Sequence, residues 1–155
     1  MSSENEERRT HTLKIVADYQ KFLSEQNWEK WIGLWSDDGI LEFPFAPPGR
    51  QRRYVGKQAI LAYMSATPGK IAIDSLDHIR LFPAQDPNIA VAELTIRGHA
   101  VPTGLPYNQS YVLFFEVKSG LLHHYREYWN PVVSMDALGG REAWTASFGT
   151  AEETR

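Results

Sequence analysis

The sequence predicts an α+β domain in which helices close one face of a curved, antiparallel sheet and so enclose a pocket for an apolar small molecule. Three observations point there. Apolar residues recur at three-to-four spacing between Thr10 and Leu34, as on the buried side of a helix. After Gly69 the pattern changes to runs of β-branched and aromatic residues separated by turn signals, and helices followed by consecutive strands give a segregated layer arrangement, not a parallel sheet. Finally, five Trp, seven Tyr and seven Phe exceed the needs of a minimal core, and large flat side chains also line pockets and interfaces. An aromatic-rich core is the plainer account of the same residues.

Along the chain, Leu13, Ile15, Val16, Tyr19, Phe22, Leu23, Trp28, Trp31, Ile32 and Leu34 mark a helix, a polar turn at Ser24–Asn27 and a second helix. Asp37-Asp38-Gly39 stops that helix, and Ile40–Phe45 reads as a strand running into the proline-rich loop Ala46–Gly49. A third helix is expected over Lys57–Ser65, ended by Thr67-Pro68-Gly69. Strands are expected at 71–83, 89–101, 108–117 and 121–130, separated by Gln85–Asn88, Pro102–Gly104 and Lys118–Gly120. The domain is therefore placed at 10–140. Residues 1–9 and 141–155 are expected to be tails, flexible or packed on a dimer.

Composition limits the function. A net charge of −3 offers no basic surface, so nucleic acid is not an expected partner. No apolar run is long enough to cross a membrane and the charged start lacks the apolar stretch of a signal peptide, so no membrane partner and a cytoplasmic location are expected. Cysteine is absent, which removes disulfides, thiolate catalysis and cysteine-bound zinc. His123 and His124 point to opposite faces if they lie in a strand, and His78 and His99 sit on other strands. No metal and no cofactor are expected.

Three segments stand out: Tyr19 followed by Trp35-Ser36-Asp37-Asp38-Gly39 and the strand Ile40–Phe43; the helix opening Gly56-Lys57-Gln58-Ala59-Ile60; and the closing hairpin Phe115–Leu122 with Arg126-Glu127-Tyr128-Trp129-Asn130. In this order they resemble the NTF2-like superfamily, which includes ketosteroid isomerase and the SnoaL-type cyclases. Within that superfamily Arg80-Leu81-Phe82, Gln85–Asn88, Tyr107 and Ala137-Leu138-Gly139 are similar to stretches of the phenazine-biosynthesis A/B proteins. The resemblance covers roughly residues 13–140. It implies a cone of three N-terminal helices on a curved, mixed, mostly antiparallel sheet around a pocket, and homodimers.

Strand alternation puts His123, Tyr125, Glu127 and Trp129 on one face and Leu122, His124, Arg126 and Tyr128 on the other. By resemblance, Tyr125, Glu127 and Trp129 face the cavity and Glu127 occupies the position of an acid/base carboxylate. A glutamate between Tyr125 and Trp129 would be desolvated and its pKa raised, as proton transfer near neutrality requires. Glu127 paired with Arg97 or Arg126 is the alternative. Tyr19 matches the phenol that donates to the oxyanion in ketosteroid isomerase, although a tyrosine in the first helix is also a good core residue. His123 is a candidate second acid/base group, or a solvated rim residue.

Phe43, Tyr63, Tyr111, Leu113, Phe115, Tyr125 and Trp129 are the expected substrate-binding wall. Phe43 stands where ketosteroid isomerase has its base, Leu113 near its second oxyanion carboxylate, and Tyr63 where the phenazine proteins place a cavity histidine, so substrate and reaction should differ. The arginines Arg50, Arg52 and Arg53 read as solvated loop, with steering of a carboxylate substrate as the lesser alternative. His124, Arg126 and Tyr128 beside Val112 and Phe114 make an outer face aromatic enough for an isologous dimer. An acid/base enzyme and a non-catalytic binding or dimerisation module both fit these residues.

Overall fold

The structure, a computed structural model, describes residues 2–148. It begins with α1 (Ser3–Ser24), α2 (Trp28–Ile32), β1 (Trp35–Glu42), β2 (Arg53–Val55) and α3 (Lys57–Ala66). Four long strands follow, β3 (Ile71–Pro83), β4 (Ile89–Ala100), β5 (Pro106–Lys118) and β6 (Leu121–Tyr128), and then α4 (Pro131–Ala137) and α5 (Arg141–Phe148). The six strands form one open sheet in the order β2-β1-β6-β5-β4-β3. All neighbours are antiparallel except β1 and β6, which run parallel, so the sheet is mixed as the resemblance implied.

One face of this sheet is covered by α1, α2 and α3. Thr12, Ile15, Val16 and Tyr19 form the buried stripe of α1, and Ile60 and Met64 that of α3. These meet Leu41, Leu94, Leu113, Phe115, Leu122 and Tyr125 from the inward positions of the strands. Rings dominate the packing: Tyr19 lies 4.9 Å from Tyr125, 5.2 Å from Phe115 and 5.4 Å from Trp31. Gly98 sets how closely β3 and β4 approach, since a Cβ built there would fall 2.2 Å from the Ala72 carbonyl oxygen.

Both expected tails differ. Residues 1–9 are helical from Ser3, because Ser2 caps α1 by accepting from the Asn5 amide and Glu4 and Glu6 favour its first turn. Polar contacts fix that end where apolar burial cannot: Arg9 donates to the Ala84 and Gln85 carbonyls, and the Thr12 hydroxyl reaches Pro87. At the other end 141–148 is helix α5, whose Trp144 is 2% exposed and donates to Ser134. The remaining tail call, 149–155, lies outside the described residues. Trp144 joins Ile71, Ala100, Tyr107, Ala137 and Leu138 in a second small core at the far end of the sheet. No helix among the described residues is long and apolar enough to cross a membrane.

Candidate functional site

Between the helices and the inward face of the sheet lies a cavity of about 490 Å³, a size suited to a small cyclic ligand. Leu113 and Tyr111 from β5, Tyr125 and Glu127 from β6, Trp129 just beyond it, Tyr19 from α1 and Tyr63 from α3 all reach its wall. Phe43 and Phe115, expected there too, do not. They lie behind the wall, Phe43 against Tyr54 and Tyr63 and Phe115 against Tyr19 and Tyr125.

His123 is also corrected, by a break in strand alternation. Val117 pairs with Leu122 and Glu116 with His124, so β6 holds one residue more than β5 at this point. This bulge puts His123 out of the ladder and reverses the facing of everything before it. Leu122, not His123, points inward and is fully buried. The His123 ring instead sits 3.3 Å from the Ser36 hydroxyl and 3.5 Å from Asp38, beside β1 and away from the cavity. His124 faces the other way, near Glu42 and Glu116, and among the described residues no three His, Asp or Glu side chains converge as a metal site.

Glu127 lines the cavity and keeps part of its surface accessible there. Burial raises its pKa from the usual carboxylate range to about 7, against the downward pull of the Tyr125 hydroxyl and of Arg50. The Tyr125 hydroxyl donates to Glu127 Oε1 at 3.1 Å. Tyr19 stacks on Tyr125, and its buried hydroxyl makes no hydrogen bond of normal geometry, its polar neighbour being the Tyr125 hydroxyl, which pulls its pKa down. Burial first, and the Glu127 carboxylate second, push the Tyr19 phenol well above its ordinary pKa, so it stays a neutral donor. At the far side Tyr107 and Tyr111 share a hydrogen bond of 2.6 Å, and burial pushes Tyr107 up to about 12.

One wall residue was expected elsewhere. Arg50 is not solvated loop but 4% exposed, turned inward by the turn at Pro47–Gly49. Its Nη1 donates to the Tyr54 hydroxyl at 2.9 Å and to the Phe148 carbonyl at 3.4 Å, and its Nη2 to the Tyr63 hydroxyl at 2.8 Å. Phe148 and Trp144 of α5 close over it, with the guanidinium 4.7 Å from the Phe148 ring centre. Nothing in a run of three arginines singles out the first. The only hint was the Tyr54 that follows, and the closing aromatics came from a segment expected to be a tail.

A family model described as a SnoaL-like domain matches residues 16–125. The chain belongs to the SnoaL-like family. Consistent with that, it is 32% identical over 130 residues to an uncharacterised PhzA/B-like protein of Pseudomonas aeruginosa, spanning 84% of this chain and 92% of the relative. A crystal structure from Bacillus subtilis superposes with a TM-score of 0.80 at 34% identity, covering 86% of this chain and 96% of that one. A Mycobacterium tuberculosis protein solved in complex with estradiol-17β-hemisuccinate shares the fold at 18% identity, with a TM-score of 0.64 over 79% of this chain and 96% of that one. In this SnoaL-like domain Glu127 lies two residues beyond the matched segment, on the strand that completes the cavity wall. What the SnoaL-like cavity offers chemically is a carboxyl that can gain or lose a proton near neutrality, a neutral buried phenol, and one buried cation.

Proposed function

We propose that the cavity is an active site for cofactor-independent acid/base chemistry on a cyclic, partly apolar carbonyl compound, of the isomerase, cyclase, dehydratase or condensing type. The observation that carries this reading is Glu127, a carboxyl on the cavity wall whose pKa burial raises to about 7. As a carboxylate Glu127 takes a proton from the carbon next to the carbonyl, and the C–H electron pair moves into the carbonyl to leave an enolate oxygen. The neutral Tyr19 hydroxyl, buried beside Tyr125, donates to that oxygen once the ligand parts the rings that cover it. Glu127, now protonated, returns the proton to a second carbon or to a leaving hydroxyl, while Tyr63, Tyr111, Leu113, Tyr125 and Trp129 hold the ring. The steroid-derived ligand of the Mycobacterium tuberculosis neighbour supports an apolar cyclic ligand in this fold. The working unit we propose is a homodimer through the outer sheet face, where Phe45 and Phe82 are 62% and 43% exposed.

The test is deuterium exchange into a panel of cyclic ketones and enones, followed by nuclear magnetic resonance. Wild-type protein is expected to accelerate exchange at the α-carbon, and Glu127→Gln to lose about 10²–10⁴ of that acceleration. Exchange no faster with the wild type than with Glu127→Gln would replace this reading with a binding module that holds its ligand unchanged.

A further inference from the structure

Proton transfer at Glu127 does not require a buried cation, yet Arg50 supplies one. Burying a guanidinium costs several kcal/mol unless its donors are satisfied. A guanidinium has five N–H donors, and here three are committed, to Tyr54, Tyr63 and the Phe148 carbonyl. The Nε hydrogen and one Nη2 hydrogen are left, on adjacent nitrogens, and Nε is buried without any partner. No ion pair reaches Arg50 among the described residues. Glu127 acts on it only from a distance, and the surrounding phenols of Tyr63, Tyr107 and Tyr111 are held neutral by burial. The cavity therefore holds one positive group with two spare, neighbouring donors, framed by aromatic rings.

We propose that Arg50 anchors a carboxylate of the ligand, so that the compound bound here is a small ring system carrying one carboxylate apart from its reacting carbonyl. Two adjacent N–H donors match the two oxygens of a carboxylate. Tyr54 and Tyr63 fix the plane of the guanidinium, and Phe148 and Trp144 shield it from water, which strengthens a charged hydrogen bond. The anchored ring then lies against Tyr63, Tyr111 and Trp129, between Arg50 and Glu127. This assignment rests on the cavity being the ligand site, but not on any turnover there.

The experiment is binding of matched acids and amides to the full chain at constant salt: benzoate, cyclohexanecarboxylate and 1- and 2-naphthoate against their primary amides. Tryptophan fluorescence and melting temperature are the readouts. At least one acid is expected to bind about tenfold or more tighter than its amide, as a charge-assisted hydrogen bond implies. Arg50→Gln is expected to erase that preference and Arg50→Lys to keep part of it. Because Arg50 also holds Tyr54 and Tyr63, folding of both variants is checked by circular dichroism, and the acid–amide contrast in the wild type stands independently of them. If no acid outbinds its amide in the wild type, or if the preference survives in Arg50→Gln, the anchor is overturned. Glu127→Gln separates the two readings: it is expected to keep the acid preference while losing deuterium exchange. A variant that loses neither overturns the catalytic reading alone.

Discussion

On the outward face of the sheet Glu42 meets Arg53 at 3.1 Å, Asp77 meets Arg97 at 3.2 Å and Glu93 meets Arg80 at 4.0 Å, each arginine more than half exposed. On the inward face Glu127 and Arg50 share a cavity and form no ion pair. The outward pairs lie in water, where neutralisation is cheap and screening strong, and such pairs contribute about 0–1 kcal/mol. Inward, the two charges are held apart by a frame of phenols, and each keeps capacity for something else. The same residue types are paired in water on one side and held apart inside a cavity on the other, and the difference is made by solvent and by which partners are within reach.

The comparison is broken most visibly at Glu127. In the unfolded chain its pKa is close to 4.5, and in the folded protein burial raises it to about 7. Below about pH 4.5 the carboxyl is protonated in both states and costs nothing. As pH rises from there toward 7 the unfolded chain ionises first, so the folded state loses stability, and above 7 the loss is complete at about 3 kcal/mol. Glu127→Gln carries no such cost. Chemical denaturation should find this variant equal to wild type at pH 4–5 and more stable by about 2–3 kcal/mol at pH 8–9. Equal stability at both pH values would mean that Glu127 is solvated and the inward face is not special.

A smaller effect separates two phenols on the same wall. Tyr63 accepts from the Arg50 guanidinium, so Tyr63→Phe should strand a charged donor and cost about 1–3 kcal/mol. Tyr19 buries a hydroxyl that makes no hydrogen bond of normal geometry, with only the Tyr125 hydroxyl beside it, so Tyr19→Phe should cost less than Tyr63→Phe and lie within about 1 kcal/mol of wild type, even as it slows α-carbon exchange. A variant that is as stable as wild type and less active marks a hydroxyl kept for chemistry. Paired denaturation curves and exchange rates decide this.

Much of the fold was legible because period and turn chemistry are local. Strand β3 ends where Gln85–Asn88 predicts a turn, and α3 begins after Gly56, whose φ of +89° a side chain would resist. The place of Glu127 and Tyr19 on the cavity wall was legible through the resemblance and, for Glu127, through the aromatic residues beside it; the roles assigned to them are the proposal. What failed was non-local. A bulge is set by the pairing of β6 with β5, so strict alternation put His123 inside and Leu122 outside. Phe43 and Phe115 have the inward parity of wall residues, but whether a side chain lines a cavity or backs it depends on what packs in front. Arg50 was hidden because its burial is produced by Tyr54, Tyr63 and Phe148, separated from it by up to 98 positions.

The smallest expected effect is the outward control. Glu42 bonds Arg53 across the β1–β2 pair and also lies 3.7 Å from His124. Burial, and behind it Arg126, hold His124 below its ordinary pKa, outweighing the attraction of Glu42 and Glu116, so at neutral pH the ring adds no charge to this cluster. Glu42→Gln should then change stability by less than about 1 kcal/mol, and raising salt should shrink the change further. The contrast is with Glu127→Gln, whose gain depends on pH and only weakly on salt, because its cause is desolvation. If Glu42→Gln instead costs several kcal/mol in denaturation, that glutamate is not in water, and the outward face must be covered, as the proposed homodimer would cover it. Sedimentation of the wild type and of Glu42→Gln at matched concentration then shows whether the cost is one of folding or of association.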